Sequence, residues 1–300
     1  MAEISASLIK ELREKTGAGV LDCKKALTET GGDLEKAVDQ LRKSGVAKAE
    51  KKSGRITTEG RISVKIEGNQ AALVEVNCET DFVAKNPDFQ NFSEGLVGLI
   101  LKEKPKDLNA LQELSLKGQK VKDILQGMVA KIGENISARR FQIVNAAADE
   151  KLGSYIHMGN KIGVVVKIKG PADKVNEAAV RDVAMHVAAS SPQFLSREFI
   201  PAEAVEREKA IYQEQMKEMK KPPQVLEKIL EGKLARFADE VCLVSQPFVK
   251  DPTGKQSVAD FLKAIHPEIK VTEFVRYQVG EGMAKKSDDF AAEVEKARGQ

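Results

Sequence analysis

Residues 61–78 constrain the fold of this chain more than any other stretch. Ile62, Val64 and Ile66 alternate with polar residues, Gly68-Asn69 supplies a tight turn, and Gln70 to Cys78 carries Leu73, Val74, Val76 and Cys78. Alternation on both sides of a short turn predicts a β-hairpin whose second strand is half buried. The hairpin runs out into Asn77-Cys78-Glu79-Thr80-Asp81-Phe82-Val83-Ala84, ahead of a Pro-containing turn. A carboxylate and a large apolar ring, Asp81 and Phe82, therefore fall just past a strand end. Residues in that position are presented by a rigid scaffold and can reach a partner.

Before the hairpin, the chain predicts three short helices separated by glycine turns. Ser5 can cap the first, whose Leu8, Ile9 and Leu12 recur at helical spacing before Gly17-Ala18-Gly19. The second runs from Val20 to Thr30, with Val20, Leu21, Cys23 and Leu27 on one side, and stops at Gly31-Gly32. Asp33 caps the third, whose stripe is Leu34, Ala37, Val38 and Leu41. A module this small has a thin core and normally exists to be docked or to bind. Ser44 to Arg55, rich in Lys, Ala and Gly without a hydrophobic stripe, reads as a linker.

Beyond the hairpin, apolar spacing predicts a helix from Asp88 to Lys102 and another from Leu116 to Asn135. Phe141, Ile143 and Val144 suggest a strand, Ile162 to Lys169 a further one, and Pro171 the start of a helix through Val187. Two charged helices joined at Pro222-Pro223 form a helical hairpin. Val241–Val244 and Val271–Val279 read as strands flanking a helix around Val258 to Ile265. Phe290, Ala291 and Val294 are spaced for a C-terminal helix. The expected class is α+β: a three-helix module and linker in 1–55, core subdomains in 56–140 and 141–282, with the hairpin in 202–240, and a C-terminal helical module in 283–300.

Three hundred residues favour two or three units, and 31% charged against 42% apolar residues places the chain among globular proteins. No apolar run approaches a membrane span, and Met1-Ala2-Glu3-Ile4-Ser5 does not open a secretory signal, so a cytoplasmic location is the expectation. A net charge of +3 is too small for a nucleic-acid field over the whole molecule. Cys23, Cys78 and Cys242 lie far apart, against both a disulfide framework and a zinc site. Phosphate loop, dinucleotide fingerprint, HExxH and GxSxG patterns are all missing, which turns the reading toward a binding protein without a cofactor. Of the three histidines, His186 on an apolar helix reads as structural, and His157 near Tyr155 as a surface residue with an equal claim to a structural role.

Thr16-Gly17-Ala18-Gly19, Leu21-Asp22-Cys23-Lys24-Lys25-Ala26-Leu27 and Val76 to Ala84 together closely resemble the translation elongation factor Ts family. The resemblance extends through Lys131-Ile132-Gly133-Glu134-Asn135, Ala184 to Ala189, Gln246-Pro247-Phe248-Val249 and Asp289 to Val294. It implies a nucleotide exchange factor for the GTPase elongation factor Tu, releasing GDP without covalent chemistry and working as a heterodimer or a dimer of heterodimers. It also implies an N-terminal module resembling a ubiquitin-associated domain, two related α+β subdomains and a projecting helical hairpin. Thr80, Asp81, Phe82 and Val83 take the part that intrudes near the GTPase's Mg²⁺ site. Arg13, Val20 and Leu21 take the contacts of the N-terminal module, Val20 and Leu21 standing where a bulkier pair is often found.

By pattern alone, Phe82 reads as closing the core and Asp81 as capping the next helix; the resemblance reverses that preference. Core packing is the equal alternative for Val20 and Leu21. Two other functions compete. An RNA-associated protein using Lys48 to Arg55 and the charged hairpin would show strong salt dependence, and a metabolic enzyme would need a pocket with convergent polar groups.

Overall fold

The hairpin anticipated at residues 61–78 forms in the computed structural model, starting two residues earlier; the structure describes residues 4–217, 219 and 221–283. Strands β1 (Glu59–Glu67) and β2 (Gln70–Cys78) join through Gly68 in the left-handed region. The expectation of a half-buried β2 is corrected: Ala71 through Cys78 are all buried, Glu75 and Asn77 included. The reason is its central place in a sheet of order β1-β2-β5, with β5 spanning Ser137–Asn145.

The first helices are α1 (Ala6–Thr16), α2 (Val20–Glu29) and α3 (Leu34–Lys52). Their caps follow the sequence: Ser5 accepts from the Leu8 amide and Asp33 from the Lys36 amide, while Gly17 ends α1 in the left-handed region. Leu12, Cys23, Ala26, Leu27 and Ala37 make the small core. The linker reading of 44–55 is corrected, because α3 continues to Lys52. Its far half lacks a large apolar stripe because it meets α7 (Val121–Ile132) through small residues, Gly45 lying against Ala130.

Helix α4 (Asp81–Ala84) is a single turn, and α5 (Pro87–Glu103) follows with Asn86 as its cap and Pro87 in its first turn. Phe89, Phe92, Leu96 and Ile100 are buried on α5, as expected. The single helix read over 116–135 is corrected. Helix α6 (Leu108–Glu113) leads to two short strands, β3 (Ser115–Leu116) and β4 (Gln119–Lys120), and only then does α7 begin. Lys117 and Gly118 both take positive φ, the primed turn that closes a two-residue hairpin.

A second three-stranded sheet has the order β6-β7-β8, all neighbours antiparallel: β6 (Glu150–Ile156), β7 (Ile162–Lys169) and β8 (Lys270–Gln278). Strand β6 has no clear alternation in its sequence. Gly153 sits at its middle because an added Cβ there would run into Val180 of α8 (Glu177–Ser190). The helix expected from Pro171 thus starts later: residues 171–175 form a turn and Asn176 caps α8. Helices α9 (Ala202–Met216) and α10 (Pro223–Val241) form the anticipated hairpin, with Lys233 over the Tyr212 ring. Val241–Val244 is not a strand; α10 runs to Val241 and Cys242 makes an isolated bridge to Phe194. Helix α11 (Val258–Ile265) starts in a capping box between Ser257 and Asp260. The core here joins Val164, Val166 and Ile168 of β7 to Val183 and Val187 of α8 and to Leu243, Phe248 and Leu262.

The described residues divide into two compact units, one from the chain up to Ile62, Val74–Phe141 and the residues from Val279, the other from Ser63–Leu73 and Gln142–Gln278. The helix expected around Phe290, Ala291 and Val294, with the module 283–300, lies outside the described residues beyond Met283. Among the described residues no helix is long and apolar enough to cross a membrane. The architecture is mixed helix and sheet with segregated elements, an α+β fold.

Candidate functional site: an exposed phenylalanine on a clamped turn

Past the end of β2, the chain turns sharply and exposes Phe82, 80% accessible to solvent, while its neighbours Val83 and Ala84 are buried. Placing an aromatic ring in water beside two small buried residues forfeits stability that a core position would have given. Phe82 does not close the core, which corrects the pattern-based alternative. Nor does Asp81 cap the following helix: the cap is Thr80, whose hydroxyl accepts from the Val83 amide at 3.4 Å. Asp81 lies in the first turn and pairs with Lys85 at 2.6 Å. That hydrogen bond, with the attraction between the charges, raises the Lys85 pKa.

The turn is fixed by residues far along the chain. The Glu134 carboxylate accepts from the Glu79 amide at 3.0 Å, the Thr80 amide at 2.9 Å and the Thr80 hydroxyl at 2.6 Å. In return the Glu79 carboxylate accepts from the Asn135 amide at 2.7 Å, and from Arg55 at 3.3 Å. The Asn135 side-chain amide donates to the Ser53 and Arg55 carbonyls, at 3.1 and 2.9 Å. Gly133 ends α7 at φ 89°, a conformation cheap only for glycine, and its carbonyl accepts from Lys52 at the end of α3. The Cys78 thiol donates to the Thr80 carbonyl at 3.1 Å.

The three N-terminal candidates sit on the helical module. Arg13 is exposed on α1, while Val20 and Leu21 open α2 at 50% and 82% exposure. The core-packing alternative for Val20 and Leu21 is corrected, since the inward positions of α2 are Cys23, Ala26 and Leu27. The turn before them is close to the end of α7: Lys131 Cδ stands 3.3 Å from where a Cβ on Gly17 would be, and Lys131 Nζ pairs with Asp88 of α5 at 2.7 Å. Thr80 is therefore held by Glu134, and Lys131 of the same stretch lies beside the Gly17 turn that precedes α2. Sequence reading assigned no role to Glu79, Glu134 or Asn135. The signal was the run Gly133-Glu134-Asn135 at a helix end, where a backbone reversal exposes polar side chains to a neighbour.

His186 has the structural role expected of it. It is fully buried, accepts at Nδ1 from the Val249 amide at 3.1 Å and meets Gln246 through Nε2 at 3.0 Å. With Nδ1 an acceptor, the proton resides on Nε2. Burial lowers its pKa, partly opposed by Gln246. His157 is exposed beside Tyr155, its Nδ1 3.4 Å from the phenol oxygen. Among the described residues no group of three or more His, Cys, Asp or Glu could hold a metal ion.

The family described as Elongation factor TS matches residues 79–281, from the first clamped residue to the far side of the second sheet. An Elongation factor Ts from Alkalilimnicola ehrlichii is 50% identical over 293 residues, covering 97% of each chain. An exposed ring on a turn held by the 131–135 segment, within a match of this extent, leaves one assignment: the chain belongs to the elongation factor Ts family, proteins of the elongation step of protein synthesis.

Proposed function

We propose that this protein is a guanine-nucleotide exchange factor that binds elongation factor Tu with GDP, disturbs its Mg²⁺ and phosphate site, and so lets GTP bind. The observation that carries the reading is Phe82, 80% exposed on a turn whose backbone is pinned by Glu134. A GTPase retains GDP through a phosphate-cradling loop and a Mg²⁺ that neutralises phosphate charge, so displacing either speeds release. Phe82 is the wedge, entering an apolar cleft near that metal; Asp81 accompanies it, and Thr80 and Val83 fix its direction. Arg13, Val20 and Leu21 dock the N-terminal module, which we read as ubiquitin-associated-like, on the GTPase.

Burying a phenylalanine is worth about 1.5–3 kcal/mol, enough to offset moderate strain in the partner's loop. Linkage then runs the cycle: a factor that weakens nucleotide binding is itself weakened by nucleotide to the same degree, so incoming GTP expels it. No bond is made or broken. As a domain plan we propose 1–55, 56–140, 141–282 with a projecting hairpin in 202–240, and 283–300. The working form is a cytoplasmic heterodimer or dimer of heterodimers, without direct contact to nucleic acid.

Stopped-flow release of fluorescent GDP from elongation factor Tu tests this, with wild type, Phe82→Ala and Asp81→Ala. Wild type accelerates release, and Phe82→Ala loses roughly 10- to 150-fold of that acceleration, the rate equivalent of the ring's burial. No acceleration by wild type overturns the function. Acceleration untouched by Phe82→Ala overturns the wedge alone.

A further inference from the structure

We propose that Glu134 is the positioning residue of the exchange tip, acting through Thr80 to hold Phe82 in its intruding orientation before the partner arrives. The proposal rests on the exchange reading above and adds to it a residue outside the Thr80 to Val83 motif. An ionised carboxylate can only accept hydrogen bonds. Glu134 Oε1 therefore takes the Thr80 hydroxyl proton, at 2.6 Å, and the hydroxyl lone pairs are left to face the Val83 amide, at 3.4 Å. Glu134 Oε2 meanwhile fixes the Glu79 and Thr80 amides.

One charge thus sets both the path of the backbone into the turn and the polarity of its cap. With Val83 and Ala84 buried and Thr80 fixed, the intervening side chain of Phe82 points outward. Glu134 is itself held by two neighbours. Gly133 fixes the backbone just before it and is tied to Lys52, and the Asn135 amide is tied to Glu79. Ordering done in the free protein is ordering that need not be done on insertion, which is what preorganisation contributes to a binding or transition state.

Two measurements on the full chain test the proposal. The first is amide hydrogen exchange on the free protein: in Glu134→Ala the Glu79, Thr80 and Val83 amides exchange faster by at least about tenfold, with the α5 and β7 amides unchanged. The second is GDP release as a function of factor concentration. Glu134→Ala lowers the plateau rate by about tenfold, equivalent to ~1.4 kcal/mol. The half-saturating concentration stays as it was, because docking surfaces elsewhere set it.

Glu134→Gln keeps the side chain's shape but offers the Thr80 hydroxyl an NH₂, so it falls between the two, and it carries the same comparison where alanine unfolds the segment. In a Phe82→Ala background, Glu134→Ala adds no further loss, whereas a general structural defect would cost the same factor in both backgrounds. Unchanged protection of the three amides, or an undiminished Glu134→Ala effect in the Phe82→Ala background, overturns the proposal. A wild type that does not accelerate release overturns the exchange reading instead, and the amide measurement still judges the clamp.

Discussion

Glu75 should be among the most sensitive single positions for stability. Its carboxylate is wholly buried in β2 and accepts from Arg139 at 3.1 Å, Arg140 at 2.6 Å, Asn77 at 3.1 Å and the Gly280 amide at 2.9 Å. Removing one partner of a buried pair costs about 3–5 kcal/mol, because the other charge is left uncompensated. Here the two arginines are 25% and 31% exposed and recover part of their hydration, which trims that figure. The half-buried Gly280 amide loses its charged acceptor, which adds at most the low end of the ~1–3 kcal/mol that a stranded buried donor costs. Glu75→Gln, which keeps the shape and one acceptor oxygen, should therefore destabilise the first unit by about 3 kcal/mol, a large share of the ~5–15 kcal/mol typical of folded proteins. Arg139→Ala should cost less, since Glu75 keeps Arg140, Asn77 and Gly280. Urea unfolding, read by hydrogen exchange at β2 and β5 amides, measures both. A Glu75→Gln variant within ~0.5 kcal/mol of wild type, or an Arg139→Ala variant that costs more, would refute the reasoning.

Two further outcomes are expected in the second unit. His186 has a pKa lowered from 6.5, so the unfolded state takes up its proton first as pH falls. The stability it contributes is full above about pH 6.5 and declines below it, by at most ~1.4 kcal/mol per pH unit. His186→Gln should flatten the pH dependence of the unfolding midpoint between about pH 5 and 7; an unaltered slope would rule out a buried neutral imidazole. Gly153→Ala should destabilise by about 1–3 kcal/mol, as the new methyl meets Val180. A melting temperature equal to wild type would show that β6 and α8 can separate without cost.

What the sequence made legible was mostly local. The caps at Ser5 and Asp33, the hairpin at Gly68 and the helix stop at Gly17 depend on residues within a turn of one another, and all form as expected. The second half of α3 was missed for the opposite reason. Its helical identity comes from a small-residue seam against α7, some eighty positions downstream, and no local stripe announces it. Likewise Glu75 and Asn77 fall on the polar phase of an alternating strand, and the groups that make the burial of Glu75 tolerable, Arg139, Arg140 and the Gly280 amide, lie far along the chain. At the candidate site, Phe82 was conspicuous as a ring past a strand end. Its exposure could not be told from core closure by pattern, because the group that fixes the turn, Glu134, lies more than fifty residues away.

Residues 131–135 act as a keystone. Within five positions Lys131 reaches Asp88 and the Gly17 turn, Gly133 takes the end of α3, Glu134 takes the entry to α4, and Asn135 takes the carbonyls of residues 53 and 55. Four segments from distant parts of the chain are registered by this one stretch. Exposed Phe82 follows the turn held by Glu134, and exposed Leu21 follows the Gly17 turn that Lys131 lies beside. A one-residue insertion within 131–135 would displace both attachments at once, taking Glu134 from Thr80 and the Lys131 side chain from the Gly17 turn.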